Sequence, residues 1–424
     1  MKLERSTPVL VVFAVLAALA VWAQNTIVPF SQPFWGLFDY QFDLDVYRCG
    51  AQTVLDGGDL YRTKCLGQMD FTYAPISIVF FIPFALLPTG IAHVLWTVLI
   101  FAALFGVILL GFRSLGHTIT WRLVGVSASL TIISTLLEPV RTTIWFGQIN
   151  VFLMLLILAD LLRGEKSFLR GAGTGLAAGI KLTPLLFAVY LALTRQWRAA
   201  ITLVGAFAAT IAIGFAIMPS ASKNYWTETL FDSNRVASPQ TVGNQSIRGF
   251  IANMMHTDHP STLLWVICAG LVGLLGLAAA VAAHRLGQEL LALSLIGMTS
   301  CAVSPVAWGH HWVWLVPLLV VAVHLLFALP WPLGRDLIAA GTVAGFLGSL
   351  AWRAFIGHPI WYVNQSVGDA WLTGIFFHND GWYRWFTLQA YTWILVIVSI
   401  VVLIVYARSD RRSAPAADAV GTRR

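Results

Sequence analysis

PVLVVFAVLAALAVWA at residues 8–23 runs into QNTIVPFSQPFWGLFDYQFDLDVYRCG at residues 24–50, and the change of character between them decides the fold. The first string is uncharged and apolar, with Lys2 and Arg5 ahead of it. The second opens a polar stretch holding six acids, Asp39, Asp43, Asp45, Asp56, Asp59 and Asp70. A cleaved signal peptide ending near Ala18-Leu19-Ala20 is one reading. Retention as a first membrane span is preferred, because the apolar segments that follow need an anchor orientation.

Outward from that boundary, the chain is apolar throughout. Of 424 residues 58% are hydrophobic and 11% charged, with a mean hydropathy of +0.77. A soluble chain carries about a quarter charged residues, so this is an all-α, polytopic membrane protein. The net charge of +7 does not point to nucleic acid, since the basic residues lie in short loops and form no continuous patch. Cys268 and Cys301 fall inside apolar spans. Cys49 and Cys65 share one external loop and are able to bond in an oxidising compartment, although spacing alone sets no distance.

Apolar segments fall near 8–24, 75–88, 91–112, 121–137, 149–162, 171–180, 184–194, 199–217, 263–283, 287–303, 312–330, 337–352 and 389–407. Segment 75–88, with Pro75, Pro83 and Pro88, reads as re-entrant or interfacial, and the pair 171–180 and 184–194 reads as a helix broken around Lys181 and Pro184. With the N-terminus in the cytoplasm, the positive-inside rule puts Arg113, Arg122, Arg163, Lys166, Arg170, Arg195, Arg198, Arg285, Arg335 and the tail from Arg408 inside. Most acids then fall outside, Asp369 and Asp380 among them. This predicts about twelve helical passes in one domain spanning 1–407, with outer loops at 25–74, 219–262 and 353–388. A disordered cytoplasmic tail is expected over 408–424.

Five polar constellations then share the outer face. Asp43, Asp45, Tyr47 and Arg48 precede LDGGDLY, which ends at Tyr61. If this stretch is helical, Arg48 sits three residues from Asp45 and holds it ionised, making Asp45 a candidate base; equally, Asp45 is placed to N-cap a helix from Val46 that ends at Gly57-Gly58. LEPVRTTIWFGQIN carries Glu138, Arg141, Gln148 and Asn150, where the plainer reading is a turn with an internal Glu–Arg pair. GIKLTP carries Lys181, which either snorkels or meets an anion. VGNQSIRGF carries Asn244, Gln245, Ser246 and Arg248, suited to sugar hydroxyls or phosphate oxygens, and also matches an N-glycosylation acceptor. SPVAWGHHWVW carries His310 and His311, adjacent and so poorly placed to share a metal.

No Gly-rich phosphate loop, HExxH, GxSxG or Cys–His nucleophile pattern occurs. One base candidate, several cations and many aromatics at a membrane surface suit a reaction on a lipid-linked phosphorylated donor. A lipid-linked sugar flippase or transporter is the competing class, and it predicts ionisable groups at mid-membrane, where only Lys181 and His324 qualify.

The strings DLDVYRCG with GGDLY, FTYAPISIVFFIPFALLP, LEPVRTTIWFGQINV, GIKLTP and SPVAWGHHWVW, in this order, resemble glycosyltransferase family 87 of the polytopic GT-C superfamily. The resemblance covers Asp43 to about Trp314; Ala74 departs from it, where a second proline is expected. It implies a polyprenyl-phosphate mannose donor, an inverting α-1,2-mannosyl transfer to a phosphatidylinositol mannoside such as the tetramannoside, and a site on the periplasmic side of a bacterial plasma membrane. Members that branch lipomannan are a second possibility within the family. Asp45 is implied as the catalytic aspartate. Lys181, Arg141, Arg248, His310 and His311 are the expected phosphate cations, Gln148, Asn150 and Asn244 further substrate ligands, and Arg48, Glu138 and Tyr61 supporting groups. Neither a metal nor another cofactor is expected.

Overall fold

The helix Thr7–Ile27 begins where Ser6 accepts a hydrogen bond from the Val9 amide and Pro8 occupies the first turn, both favourable at a helix start. It is the first of six helices among the described residues long and apolar enough to cross a membrane. The others are Thr89–Ser114, Trp197–Ile217, Thr262–Arg285, the Gly309–Ala328 stretch and Ala390–Ser409. The protein is described here by a computed structural model covering residues 3–232, 235–236, 238–355, 370–379 and 381–413.

Alongside these six lie several shorter apolar helices. Hydropathy registers apolar runs, whereas a crossing needs about 20 continuous helical residues. Trp121–Ser134 and Glu289–Val303 fall short at 14 and 15 residues. Pro75–Ser77 is a 3-10 turn leading into the eight-residue helix Ile78–Ala85, which at 1.5 Å per residue is too short to span.

Two breaks set up the site. Helix Ala172–Ile180 stops at Lys181, whose backbone is extended, before the 3-10 turn Thr183–Leu185 and helix Leu186–Leu193. Helices Glu138–Phe146 and Asn150–Leu161 meet at 117°. Gly147 makes that corner with a left-handed φ of 68°, and a Cβ there would meet the Leu44 Cβ at 2.9 Å. The corner is therefore pressed directly onto the first external loop.

That loop is not irregular. It contains the helix Phe42–Leu55, whose Leu44, Tyr47 and Ala51 are buried and which ends at Gly57, φ 75°. Helix formation starts before Asp45, so Asp45 lies in the first turn and does not cap it. Cys49 and Cys65 form a disulfide with Cα atoms 5.8 Å apart, tying the helix to the loop behind it. Within this mostly helical fold one short antiparallel pair of strands, Trp352–Phe355 with Ala370–Thr373, lies beside the same loop. At the other end of the chain, the last helix runs on to Ser413; the remainder of the expected disordered tail, and the acids Asp369 and Asp380, lie outside the described residues.

Away from the site, Asp160 is buried and accepts from the Gly171 and Thr174 amides, the Thr174 hydroxyl and Arg163. Arg170, Tyr190 and His284 converge on Glu289. Burying charge is tolerable only with such partners, and these contacts join the loops expected on the cytoplasmic side.

Candidate active site

A cavity of about 760 Å³ opens between the first loop, the Gly147 corner, the break at Lys181 and the Ser304–His311 segment. Asp43 lines it and Asp45 does not. The two are separated by one residue of helix, which turns about 100° per residue, so their side chains diverge by about 200°. Asp45 Oδ1 accepts from Arg48 Nη1 at 3.1 Å and pairs with His93 Nε2 at 2.9 Å. Burial alone would raise its pKa, but the hydrogen bond and charge of His93, then those of Arg48, outweigh it and hold the carboxyl below its usual range. The Arg48 pairing expected from the sequence is therefore present, but the carboxylate it holds faces away from the cavity. Arg48 also donates to the Phe84 and Leu87 carbonyls and to Thr89, clasping the helix to the end of Ile78–Ala85.

Asp43 is in the opposite condition. Its Oδ2 accepts from Gln148 Nε2 at 2.8 Å. Burial pushes its pKa up to about 7, against the lowering effects of that hydrogen bond and of the Lys181 charge. Gln148 Oε1 in turn accepts from Asn150 Nδ2 at 3.1 Å and from Tyr73 OH at 3.2 Å. Asn150 Oδ1 accepts from Lys181 Nζ at 2.8 Å, completing a line from ammonium to carboxylate. Lys181 also donates to His311 Nε2 at 2.9 Å and lies 5.6 Å from the Tyr73 ring centre. A charged lysine has only donors, so His311 accepts at Nε2. A third N–H of Lys181 is left for a ligand. His310 lines the same cavity, is 5% exposed, and its Nε2 has no partner among the described residues.

The remaining expected residues divide sharply. Glu138 lines the cavity, buried, accepting from Thr142 and Tyr391; Gly309 has no space for a Cβ because the Glu138 carboxylate fills it. Arg141 does not pair with Glu138: it points to Gln24 Oε1 at 3.1 Å and the Trp35 carbonyl, joining helix Glu138–Phe146 to the first helix and loop. It is buried outside the cavity lining, so its expected phosphate role does not fit this geometry. Asn244 also lies outside the lining. It accepts from the Ser246 and Ala307 amides and fastens the 219–262 loop to the Ser304–Trp308 segment. At 1% exposed it is closed to glycosylation as well. Arg248 packs over Trp265, 5.6 Å from the ring centre, and Tyr61 donates to the Tyr73 carbonyl; neither lines the cavity.

Cavity residues that the sequence reading did not single out are Tyr73, Arg235 and an aromatic group around Trp35 and Trp145. Arg235 Nη2 donates to Asp70 Oδ1 at 2.8 Å and to the Tyr61 carbonyl at 2.7 Å. His93 was missed too, since a lone histidine in the apolar run after Pro88 carries no local signal. Among the described residues no three His, Cys, Asp or Glu side chains converge to hold a metal.

The helix breaks of this polytopic membrane protein thus bring a carboxylate and a lysine into one cavity, the kind of site an enzyme builds. The chain belongs to glycosyltransferase family 87, whose profile matches residues 71–305, and it is accordingly a glycosyltransferase. That span holds Gln148, Asn150 and Lys181, while Asp43 and the His310–His311 pair flank it. The chain is 34% identical over 381 residues to the polyprenol-phosphate-mannose-dependent alpha-(1-2)-phosphatidylinositol pentamannoside mannosyltransferase of Mycolicibacterium smegmatis, covering 87% of this chain and 88% of that one. It is 32% identical over 398 residues to the polyprenol-phosphate-mannose-dependent alpha-(1-2)-phosphatidylinositol mannoside mannosyltransferase of Mycobacterium tuberculosis, covering 88% of each. No solved structure matches.

Proposed function

We propose that this glycosyltransferase moves mannose from a polyprenyl-phosphate carrier to a mannose 2-hydroxyl of a phosphatidylinositol mannoside, forming an α-linkage with inversion. The activities that both relatives are named for support the substrates. The observation that carries the mechanism is the placement of Asp43 and Lys181 in one cavity, linked through Gln148 and Asn150.

Asp43, and not Asp45, acts as the base. Its carboxylate takes the proton of the acceptor hydroxyl as that oxygen attacks the mannosyl C1. The C1–O bond to phosphate breaks and its electron pair stays on the departing polyprenyl phosphate. A pKa near 7 suits a group that must accept a proton at neutral pH. The leaving phosphate is already a stable anion, so a second carboxylate acid, as in a glycosidase, is not required. Lys181 supplies the stabilising positive charge, with His310 Nε2 offering a further hydrogen bond. Charge from these side chains leaves no step that requires a metal, and the transfer is proposed to be metal-independent.

The fold is proposed to be of GT-C type, with the shorter apolar helices completing about twelve passes together with the long ones. The cavity is placed on the periplasmic face of the plasma membrane. The Cys49–Cys65 disulfide supports this, since such bonds persist in oxidising compartments, as does the distribution of basic loops.

The test is transfer by the purified protein from labelled polyprenyl-phosphate mannose to phosphatidylinositol mannosides of defined length, with the new linkage mapped. An α-1,2 product that disappears in Asp43→Asn is expected. Absence of transfer to every such acceptor would overturn the assignment.

A further inference from the structure

The cavity extends well beyond the groups that a phosphate needs. Around Trp35 and Trp145 its wall is aromatic and is assembled from three separate parts of the chain. Trp35 of the first loop stacks on Trp145 of helix Glu138–Phe146, with ring centres 5.5 Å apart and planes at 23°. Trp371 of strand Ala370–Thr373 packs 5.0 Å from Trp35, and Tyr40 lies 5.0 Å from Trp145. Tyr40 also stacks at 5.4 Å on Phe42, the residue immediately before Asp43. All five rings line the cavity. Trp35 is 2% exposed, and its indole Nε1–H meets no acceptor among the described residues. Buried indole donors ordinarily find a partner, so this one is short of an oxygen.

We propose that this wall is the acceptor-saccharide subsite, where a hexopyranose lays its C–H face on the rings and offers a hydroxyl oxygen to Trp35 Nε1–H. This rests on the glycosyl-transfer reading above. Inverting attack decides between donor and acceptor. The incoming oxygen approaches C1 from the side opposite the departing phosphate, so the acceptor lies away from Lys181 and against the base. The wall reaches the base: ring contacts link Phe42, next to Asp43, through Tyr40 and Trp145 to Trp371. A pyranose has an apolar face and a polar rim, matching flat rings edged by a donor. The hairpin carrying Trp371 is then part of acceptor recognition, and acceptor choice is made by the sugars of the glycolipid.

Two measurements on the full-length protein in lipid nanodiscs test this. In initial-rate assays, Trp371→Ala and Trp145→Phe should raise the acceptor KM, the first by about ten-fold, the size expected for losing one ring stack. The donor KM should stay within about two-fold, and Trp371→Tyr should restore most of the acceptor KM. Unchanged acceptor KM in both variants, or a rise in donor KM instead, overturns the proposal. The second measurement needs no turnover: α-linked mannobiose added without donor should change the tryptophan fluorescence of the wild type, and much less that of Trp371→Ala. An unchanged wild-type signal overturns the saccharide assignment. Were the donor misassigned, transfer would be absent while mannobiose binding persisted, so the two failures are distinguishable.

Discussion

Asp43 and Lys181 are the two ends of one hydrogen-bonded line, carboxylate–Gln148–Asn150–ammonium, that crosses the break between helices Glu138–Phe146 and Asn150–Leu161. Each amide donates toward the anion and accepts from the cation side, so the line is polarised in one sense. It holds the proposed base and the proposed phosphate-binding cation at a set separation without letting them neutralise each other. Attack and departure on opposite sides of one carbon need such a spacing.

Asp43→Asn should lower kcat by about 10²–10⁴, the usual weight of a general base. Asp45→Asn should cost less than about ten-fold, because it loosens the clasp with Arg48 and His93 and removes no reacting group. Initial rates for the two variants settle the order. If Asp45→Asn is the inactive one, the base has been misassigned.

The pH dependence has a definite sign. A base with a pKa near 7 is protonated and inactive below it, so kcat/KM should climb about ten-fold per pH unit up to about 7 and then level off. The Gln148 hydrogen bond lowers this pKa. Gln148→Leu should therefore move the inflection to higher pH, and a shift to lower pH would contradict the assignment.

Lys181→Met removes the charge proposed to face the departing phosphate and should reduce kcat by about 10²–10³, as loss of a preorganised electrostatic group does. Chelation with EDTA should leave the wild-type rate unchanged. A rate lost to EDTA and restored by a divalent cation would show that the lysine does not act alone.

Cys49 and Cys65 close a loop with a sequence separation of 16 residues. Replacing both with serine should cost about 3 kcal/mol of stability in the chain-entropy account. The measurement is the thermal inactivation midpoint, which should fall, while the kcat remaining at low temperature stays near wild type. An unchanged midpoint would mean that the Phe42–Leu55 helix is held by packing alone.

Much was legible without coordinates. The uncharged run 8–23, the low charged fraction and the apolar segments specify a polytopic helical membrane protein, because an apolar helix in lipid satisfies its own backbone. The interruption at Lys181 is announced by the proline three residues on, and the order of the polar strings carries the family. Which apolar runs form long helices and which form short ones was not legible, since hydropathy does not register where helices stop.

The sequence by itself determined the class of protein, the family and the residue types present at the site. Tertiary structure alone decided which of them meet. Asp43 and Asp45 are alike in FDLDVYRCG; pressing Leu44 onto Gly147 turns the first toward Gln148 and the second toward His93. Arg141 and Asn244 look like ligands in the string, and become fasteners because the groups that satisfy them arrive from Gln24 and Ala307, 117 and 63 residues away. The aromatic wall was invisible for the same reason: Trp35, Trp145 and Trp371 are neighbours only after the chain has folded, and no local periodicity encodes a contact over such distances.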